Sequence, residues 1–513
     1  MRIEKLKSLL LASLFIVSLL LTQRLWFYLP FGEVISTAND IDTENIDIDV
    51  TDLLSPQNFT ISFGGGTYTV FFSEPYEVWN IASTLPKDSE NTYNKKDIWI
   101  WETAKNVLKE HLGEGYEVQE IGYDQWIKIM KFKSLIMNFA CEIPGDILID
   151  ALIGQKSDSK ISERIDTILI LAAEEEKNDI YFGNNEKNVY FKLKSGVLDN
   201  RIRILIENIE KVGQEKGYIE YVTLQSRYNT PSKVKSDVLI PIFAEGSEPI
   251  PSYSAKNQID VSDKLAVKNQ AYQFFGRTFD FVKEINEIDG TVIYMYGYGE
   301  KSLKLNKNGT LEYVEKVNKH KTGSHLDFID SLKLAAKFVE EKGKWPVNIK
   351  NTYLSDYELV EKNNKKGYRF SFNYRLKGFP IFIPDIGEDK GIEVEIIGNQ
   401  ITYYKRIVKS PPQKLNDEEK GIFSIFNNEE DKDILNVLEV LIKNKEDIKD
   451  NYINLSQKDK DQGITIEELI KDIGIVYFSY KDKLIPVWEI TIDNIVYYFD
   501  LYTGTRYTFT KKN

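Results

Sequence analysis

The chain has 513 residues, room for two to four domains, and a formal net charge of −13 that argues against nucleic acid and against anionic lipid surfaces beyond any anchor. Its single cysteine, Cys141, excludes an internal disulfide and a cysteine-rich metal site, so packed cores must hold the fold. With 30 Tyr and 27 Phe such cores are attainable, and strands are favoured.

The first element is a membrane anchor at 1–31. Ser8 to Gln23 carries no charge and is mostly Leu, Ile, Val and Phe. As a helix it covers roughly 24 Å, short of a hydrocarbon core of ~30 Å. Lys7 and Arg24 can snorkel outward to close the gap. Leu25 to Phe31 continues apolar, with Trp26 and Tyr28 as interfacial aromatics. Arg2, Lys5 and Lys7 precede the span, and Asp40, Asp42, Glu44, Asp47, Asp49 and Asp52 follow it. Positive residues stay inside, so the N-terminus is expected in the cytoplasm and the bulk of the chain outside it. A cleaved signal peptide is the rival reading. Bulky residues from Gln23 to Trp26 stand where small ones are needed, and Ser36-Thr-Ala38 lies well past the apolar run. No cysteine follows the run, which excludes a lipoprotein, and no second stretch approaches a span, so a single-pass protein of the cell membrane is expected.

On that helix Ser8, Ala12, Ser18 and Thr22 fall within an arc of roughly 120°. Small and hydroxylated residues on one face permit close helix–helix approach in lipid. The plain alternative is chance placement of serines in an apolar segment.

Residues 32–57 are acidic and aromatic-poor and read as a linker. The region 58–255 reads as mixed α and β. Phe59–Phe63 and Thr67–Phe72 alternate as strands around Gly64-Gly-Gly66. Helices are expected at Trp101–His111, Ile161–Glu175 and Val197–Gly213, with strands at Asp179–Phe182 and Asn188–Leu193. Prolines 241, 249 and 251 mark a boundary near 255. The region 256–410 opens with strands Thr291–Tyr298, Leu303–Leu305 and Leu311–Val317, the last two joined by Asn308-Gly309, a strong hairpin signal. A helix is expected at Leu326–Lys342, with Phe328, Ile329, Leu332, Ala335, Ala336 and Val339 on one face. Strands follow at Thr352–Glu361, Tyr368–Leu376, Ile392–Ile397 and Ile401–Val408. Pro411-Pro412 opens 411–513, which repeats the plan: helices Asp433–Ile442 and Ile466–Ile473, then strands Ile475–Tyr480, Leu484–Ile492, Ile495–Leu501 and Thr505–Phe509. The expected fold class is α+β, an N-terminal transmembrane helix followed by tandem extracytoplasmic modules of antiparallel sheet with packed helices. Separate small modules explain the repeat more economically than one large sheet.

Chemical motifs are sparse. His111, His320 and His325 lack the i, i+4 spacing of a zinc helix. Gly297-Tyr-Gly299-Glu-Lys-Ser302 lacks the order of a phosphate loop and reads as a β-turn. Around Gly463 a calcium loop would need Lys458 and Lys460 as ligands, which lysine cannot be. Gly323-Ser-His325 is not a nucleophile elbow. No catalytic residue, cofactor or metal is expected.

The strings Glu4–Leu11, Ser18–Thr22 and Leu25-Trp26 resemble the YycH family, membrane-anchored regulators of the WalK sensor histidine kinase in Gram-positive bacteria. Leu484-Ile-Pro-Val-Trp488 and Tyr497–Gly504 are similar to the closing strands of its companion YycI and of PepSY-type domains. The resemblance implies a non-enzymatic regulator of a two-component system for cell-wall homeostasis. Its implied partners are a WalK-like kinase and a YycI-like membrane protein, met through the transmembrane face and the ectodomain. An extracellular PepSY-like binding or inhibitory module is the alternative.

Overall fold

Three consecutive glycines set the first turn. Gly64, Gly65 and Gly66 hold φ of +89°, +68° and +92°, a region residues with a Cβ rarely enter. They join β1 (Asn58–Gly64) to β2 (Thr67–Phe71), with Phe59 opposite Phe71 and Ile61 opposite Thr69. The computed structural model describes residues 48–78, 95–228, 238–318, 325–409, 413–414, 433–456 and 466–511, except 114, 158–159, 173–178, 244–246, 248 and 385–389, together with Leu14. The expected anchor, with Ser8, Ala12, Ser18 and Thr22 on its face and Lys7, Arg24, Trp26 and Tyr28 at its ends, lies outside the described residues. Among the described residues no helix is long and apolar enough to cross a membrane.

The first sheet adds β3 (Glu117–Ile121), β4 (Ser134–Pro144), β5 (Arg164–Leu171), β6 (Ile180–Asn184), β7 (Val189–Lys194), β8 (Glu220–Thr223) and β9 (Leu239–Ile242). Its order is β3-β7-β6-β5-β4-β1-β2-β8-β9, antiparallel throughout. Helices Ile100–Gly113, Gly145–Ile153 and Arg201–Lys216 pack against one another or onto β1 and β4. The first of them buries Trp101, Ala104, Val107 and Leu108, the spacing that marked it in the sequence. Ile136 and Leu169 point to the opposite face, where Trp126 stacks on Tyr190 at 4.6 Å.

Two expectations fail here for legible reasons. Ile161–Glu175 was expected as a helix, yet Arg164–Leu171 is the strand β5. Both its faces are buried, which erases the period-two signal, and its Ile and Thr residues suit a strand. Val197–Gly213 was expected to stop at Gly213, but the helix runs Arg201–Lys216 and ends at Gly217, φ +74°. Gly213 is a packing glycine. A Cβ there would sit 1.6 Å from Cε1 of Tyr218. Ala ordinarily gains about 1 kcal/mol over Gly inside a helix; Gly213→Ala is expected to lose about 1–2 kcal/mol by overpacking instead, read as a fall in the urea midpoint.

The second sheet contains β10 (Tyr253–Ser254), β11 (Lys283–Asn286), β12 (Val292–Tyr296), β13 (Lys301–Leu305), β14 (Leu311–Glu315), β15 (Thr352–Lys362), β16 (Lys365–Leu376), β17 (Phe379–Phe382), β18 (Ile392–Ile397), β19 (Gln400–Arg406), β20 (Gln413–Lys414), β21 (Ile470–Tyr480), β22 (Lys483–Ile492), β23 (Ile495–Asp500) and β24 (Arg506–Lys511). Helix Phe328–Lys342 starts at Asp327, whose carboxylate accepts from the Asp330 amide at 2.9 Å, and packs on β16 and β18. The helix-then-meander repeat is present. The two units are not separate sheets, however. β17 leaves β16 through Lys377-Gly378 and pairs in parallel with β21, Ile381 with Tyr477 and Phe382 with Phe478. All four β17 residues are buried, and an apolar edge of that kind demands a partner strand.

Ile466–Ile473 was also expected as a helix. Only Ile466–Leu469 turns, as a 3-10 helix, and Ile470 already begins β21. The expected helix at Asp433–Ile442 is Val437–Lys443, opened by a capping box of Asn436 and Glu439.

The expected linker 32–57 needs correction at its end. Val50–Leu53 is a helical turn capped by Asp49, and Leu53 and Leu54 are fully buried. Lys105 lies 3.2 Å from both Asp49 and Asp52, so these carboxylates serve an internal contact. Trp101 Nε1 donates to the Thr51 carbonyl at 3.1 Å, and Ser55 Oγ donates to that of Thr352 at 3.3 Å. Residues 48–57 thus strap the first unit to the second.

Candidate interaction cleft

A cleft of about 660 Å³ lies between the two sheets, within the usual ~300–1,000 Å³ of ligand sites. β4 builds one wall. It pairs with β1 as far as Asn138, opposite Asn58, and its register against β5 jumps from Asn138 to Ile143. Residues 139–142 are released from both ladders and bulge toward β15. Cys141 Sγ comes within 4.0 Å of the Leu354 carbonyl oxygen. Tyr353, Asp356 and Tyr357 of β15 and Lys390 form the facing wall, and Thr510 and Lys511 of β24 close one end.

The cleft carries both signs of charge, and several of its carboxylates are held by neighbouring cations or amides. Glu142 accepts from Asn184 Nδ2 at 2.8 Å and lies 4.0 Å from both Arg164 and Lys187. Asp166 accepts from the Asn185 amide at 2.9 and 3.1 Å, and Asp356 pairs with Lys390 at 3.4 Å. Such a surface suits a polar partner carrying both signs. Burial pushes the Cys141 thiol up to about 12, so it is not an armed nucleophile at neutral pH.

A second polar group lies under the strap. Arg375 of β16 is buried and donates from Nη2 to the carbonyls of Pro56 and Gln57. Its guanidinium stacks 4.4 Å from the Tyr353 ring centroid. Burial pulls its pKa down to about 10, against the attraction of Tyr353, Glu77 and Glu74. Glu74 accepts from the amides of Ile100 at 2.6 Å and Trp101 at 3.0 Å, at the open end of helix Ile100–Gly113. Burial nevertheless raises its carboxyl to about 7, outweighing those two hydrogen bonds.

The motifs singled out in the sequence take structural places. Gly297, Tyr298 and Gly299 form the β12–β13 turn with φ of +58°, +53° and +86°. His111 is buried with Nδ1 2.5 Å from Ser195 Oγ. Asp199 accepts from the backbone amide, Nε and Nη2 of Arg201. His325 stacks on Tyr368 at 5.7 Å. Gly463 and its neighbours, and His320, lie outside the described residues. Among the described residues no cluster of three His, Cys, Asp or Glu could hold a metal ion. None of the cleft residues, nor Glu74 or Arg375, carried a sequence signal. They converge from distant elements, and Arg375 and Pro56 are 319 positions apart.

Among the described residues, fold and cleft together define an α+β protein of two sheets with a polar cleft between them. No family model matches the chain, and no curated protein matches it. Among solved structures it has the fold of YycH from Bacillus subtilis, with a TM-score of 0.50 at 13% identity over 87% of this chain and 95% of that one. The likeness read from the N-terminal string is thus borne out at the level of fold. The C-terminal domain of YpeB from Bacillus megaterium aligns with a TM-score of 0.24 at 11% identity, over 50% of this chain and 99% of that one.

Proposed function

We propose that this chain is a non-enzymatic regulatory subunit of a sensor histidine kinase in a two-component system controlling the cell wall. It is anchored by its N-terminal helix with the N-terminus in the cytoplasm. The observation that carries the reading is the YycH fold across 87% of the chain. The kinase and a YycI-like membrane protein are the partners, met through Ser8, Ala12, Ser18 and Thr22 in the membrane and through the ectodomain outside it. Regulation requires that the subunit bind two kinase states unequally, since equal binding shifts no equilibrium. Replacing those four residues together by Leu removes the small-residue face. The expected result is loss of kinase co-purification and altered expression of the kinase's targets. Unchanged values for both remove the helix face from the mechanism.

The cleft favours a second reading, an extracellular binding module for which the helix is only a tether. Exchanging the helix for an unrelated single-pass anchor separates the two. Lost regulation supports the first reading, and retained regulation the second.

A further inference from the structure

We infer that β11, the end strand of the second sheet, is a self-association edge that pairs antiparallel with β11 of a second copy of this chain. The inference rests on the sheet alone and is independent of the kinase reading. Among the described residues β11 hydrogen-bonds only to β12 and ends the strand order, which leaves its outer edge open among them. Natural edges are blunted by charge, shortness or cover. This one is short and carries Lys283, yet large exposed apolar residues flank it: Phe281 is 60% exposed and Ile288 108%.

The hairpin fixes which groups face outward. The Glu287 amide donates to the Thr291 carbonyl at 2.8 Å, and the Glu287 carbonyl accepts from the Gly290 amide at 3.1 Å. Both polar groups of Glu287 therefore face β12. Alternation turns those of Ile285 and Lys283 the same way, opposite Ile293 and Met295. The amides and carbonyls of Glu284 and Asn286 then point outward, available to a new strand.

A twofold axis perpendicular to the sheet preserves its faces, so opposed residues must be an even number apart in register. Centring the axis on Ile285 opposes Ile285 to Ile285 of the second copy. Glu284 then meets Asn286, and these are the two residues with outward backbone groups, so a hydrogen-bonded pair forms on each side of the centre. One step further, Lys283 meets Glu287 of the second copy, twice by symmetry. Within the chain neither residue has an ion-pair partner among the described residues. The next step carries Val282 toward Ile288. Charge, backbone polarity and apolar flanks thus agree in one register. The lysine that would repel a random strand is matched by a glutamate of an identical one.

The test uses the full-length protein in membranes, in a Cys141→Ala background. Residues opposed at a non-hydrogen-bonded antiparallel site have Cα atoms ~4.5 Å apart, within disulfide reach. Ile285→Cys is expected to give a disulfide-linked dimer under mild oxidation, and Glu284→Cys to give little. Adding Lys283→Glu should reduce the crosslink about tenfold through like-charge opposition. Adding Glu287→Lys to that variant should restore it, which shows that the exposed charge changes leave the fold intact. No Ile285→Cys dimer, or a dimer indifferent to Lys283→Glu, overturns the inference. So does crosslinking through Ile285→Cys to another protein only.

Discussion

Replacing Arg375 by Met is expected to destabilise the protein by about 3–5 kcal/mol, the cost of breaking a buried charged network from one side. The Met side chain fills similar space but donates nothing. The carbonyls of Pro56 and Gln57 lose a charged donor, and Glu77 and Glu74 lose a compensating cation. Tyr353 loses the guanidinium 4.4 Å from its ring. The damage falls on the strap, where residues 48–57 touch a helix of the first unit and β15 of the second. Urea unfolding reads the effect as a lower midpoint. An additional early transition in the variant would show the two units parting. A loss below about 0.5 kcal/mol, the range of an ordinary surface change, would mean that the strap does not depend on Arg375.

The second large effect is a pH dependence set by Glu74. Its carboxyl is raised from an ordinary 4.5 to about 7, so the native state binds a proton that the unfolded chain has already released. The stability this contributes is fully present below pH 4.5 and is lost as pH rises through 7. At about 1.4 kcal/mol per pKa unit, the loss across that window is about 3 kcal/mol. Glu77, raised by burial in the same direction, adds to it. Glu74→Gln keeps an acceptor for the Ile100 and Trp101 amides and removes the titration. The stability difference between wild type and this variant, measured by urea unfolding from pH 4.5 to 7.5, should therefore shrink or reverse as pH rises. A pH-independent difference would place the Glu74 carboxyl at its ordinary value.

The hairpins were the most legible part of the fold. Gly64–Gly66 and Gly309 supply backbone conformations that other residues resist, and both mark turns between antiparallel strands. Helix Phe328–Lys342 was equally readable, because one face meets a sheet and the other meets water. Legibility failed where burial is two-sided. β5 is buried on both faces from Thr167 to Ile170, and β21 opens with exposed Lys471 and Asp472 before its run of buried residues from Ile473; in neither does periodicity separate strand from helix. It failed again where contacts are remote. Asp49 and Asp52 read as solvated linker charges because Lys105, their partner, lies beyond any local window. Joining two modules through β17 depends on four residues that carry no pairing signal of their own. The cleft was invisible for the same reason: a bulge in β4, an edge in β15 and the last residues of β24 meet only in three dimensions.

The assignment as a kinase regulator is tested most directly by site-specific photocrosslinking in living cells. Probes at Ala12 and Ser18 sample the membrane face, and a probe at Thr510 samples the mouth of the cleft. Mass spectrometry of the adducts is expected to find a sensor histidine kinase at one or both membrane positions, together with a second small membrane-anchored protein. Adducts without a kinase from all three positions would contradict the assignment.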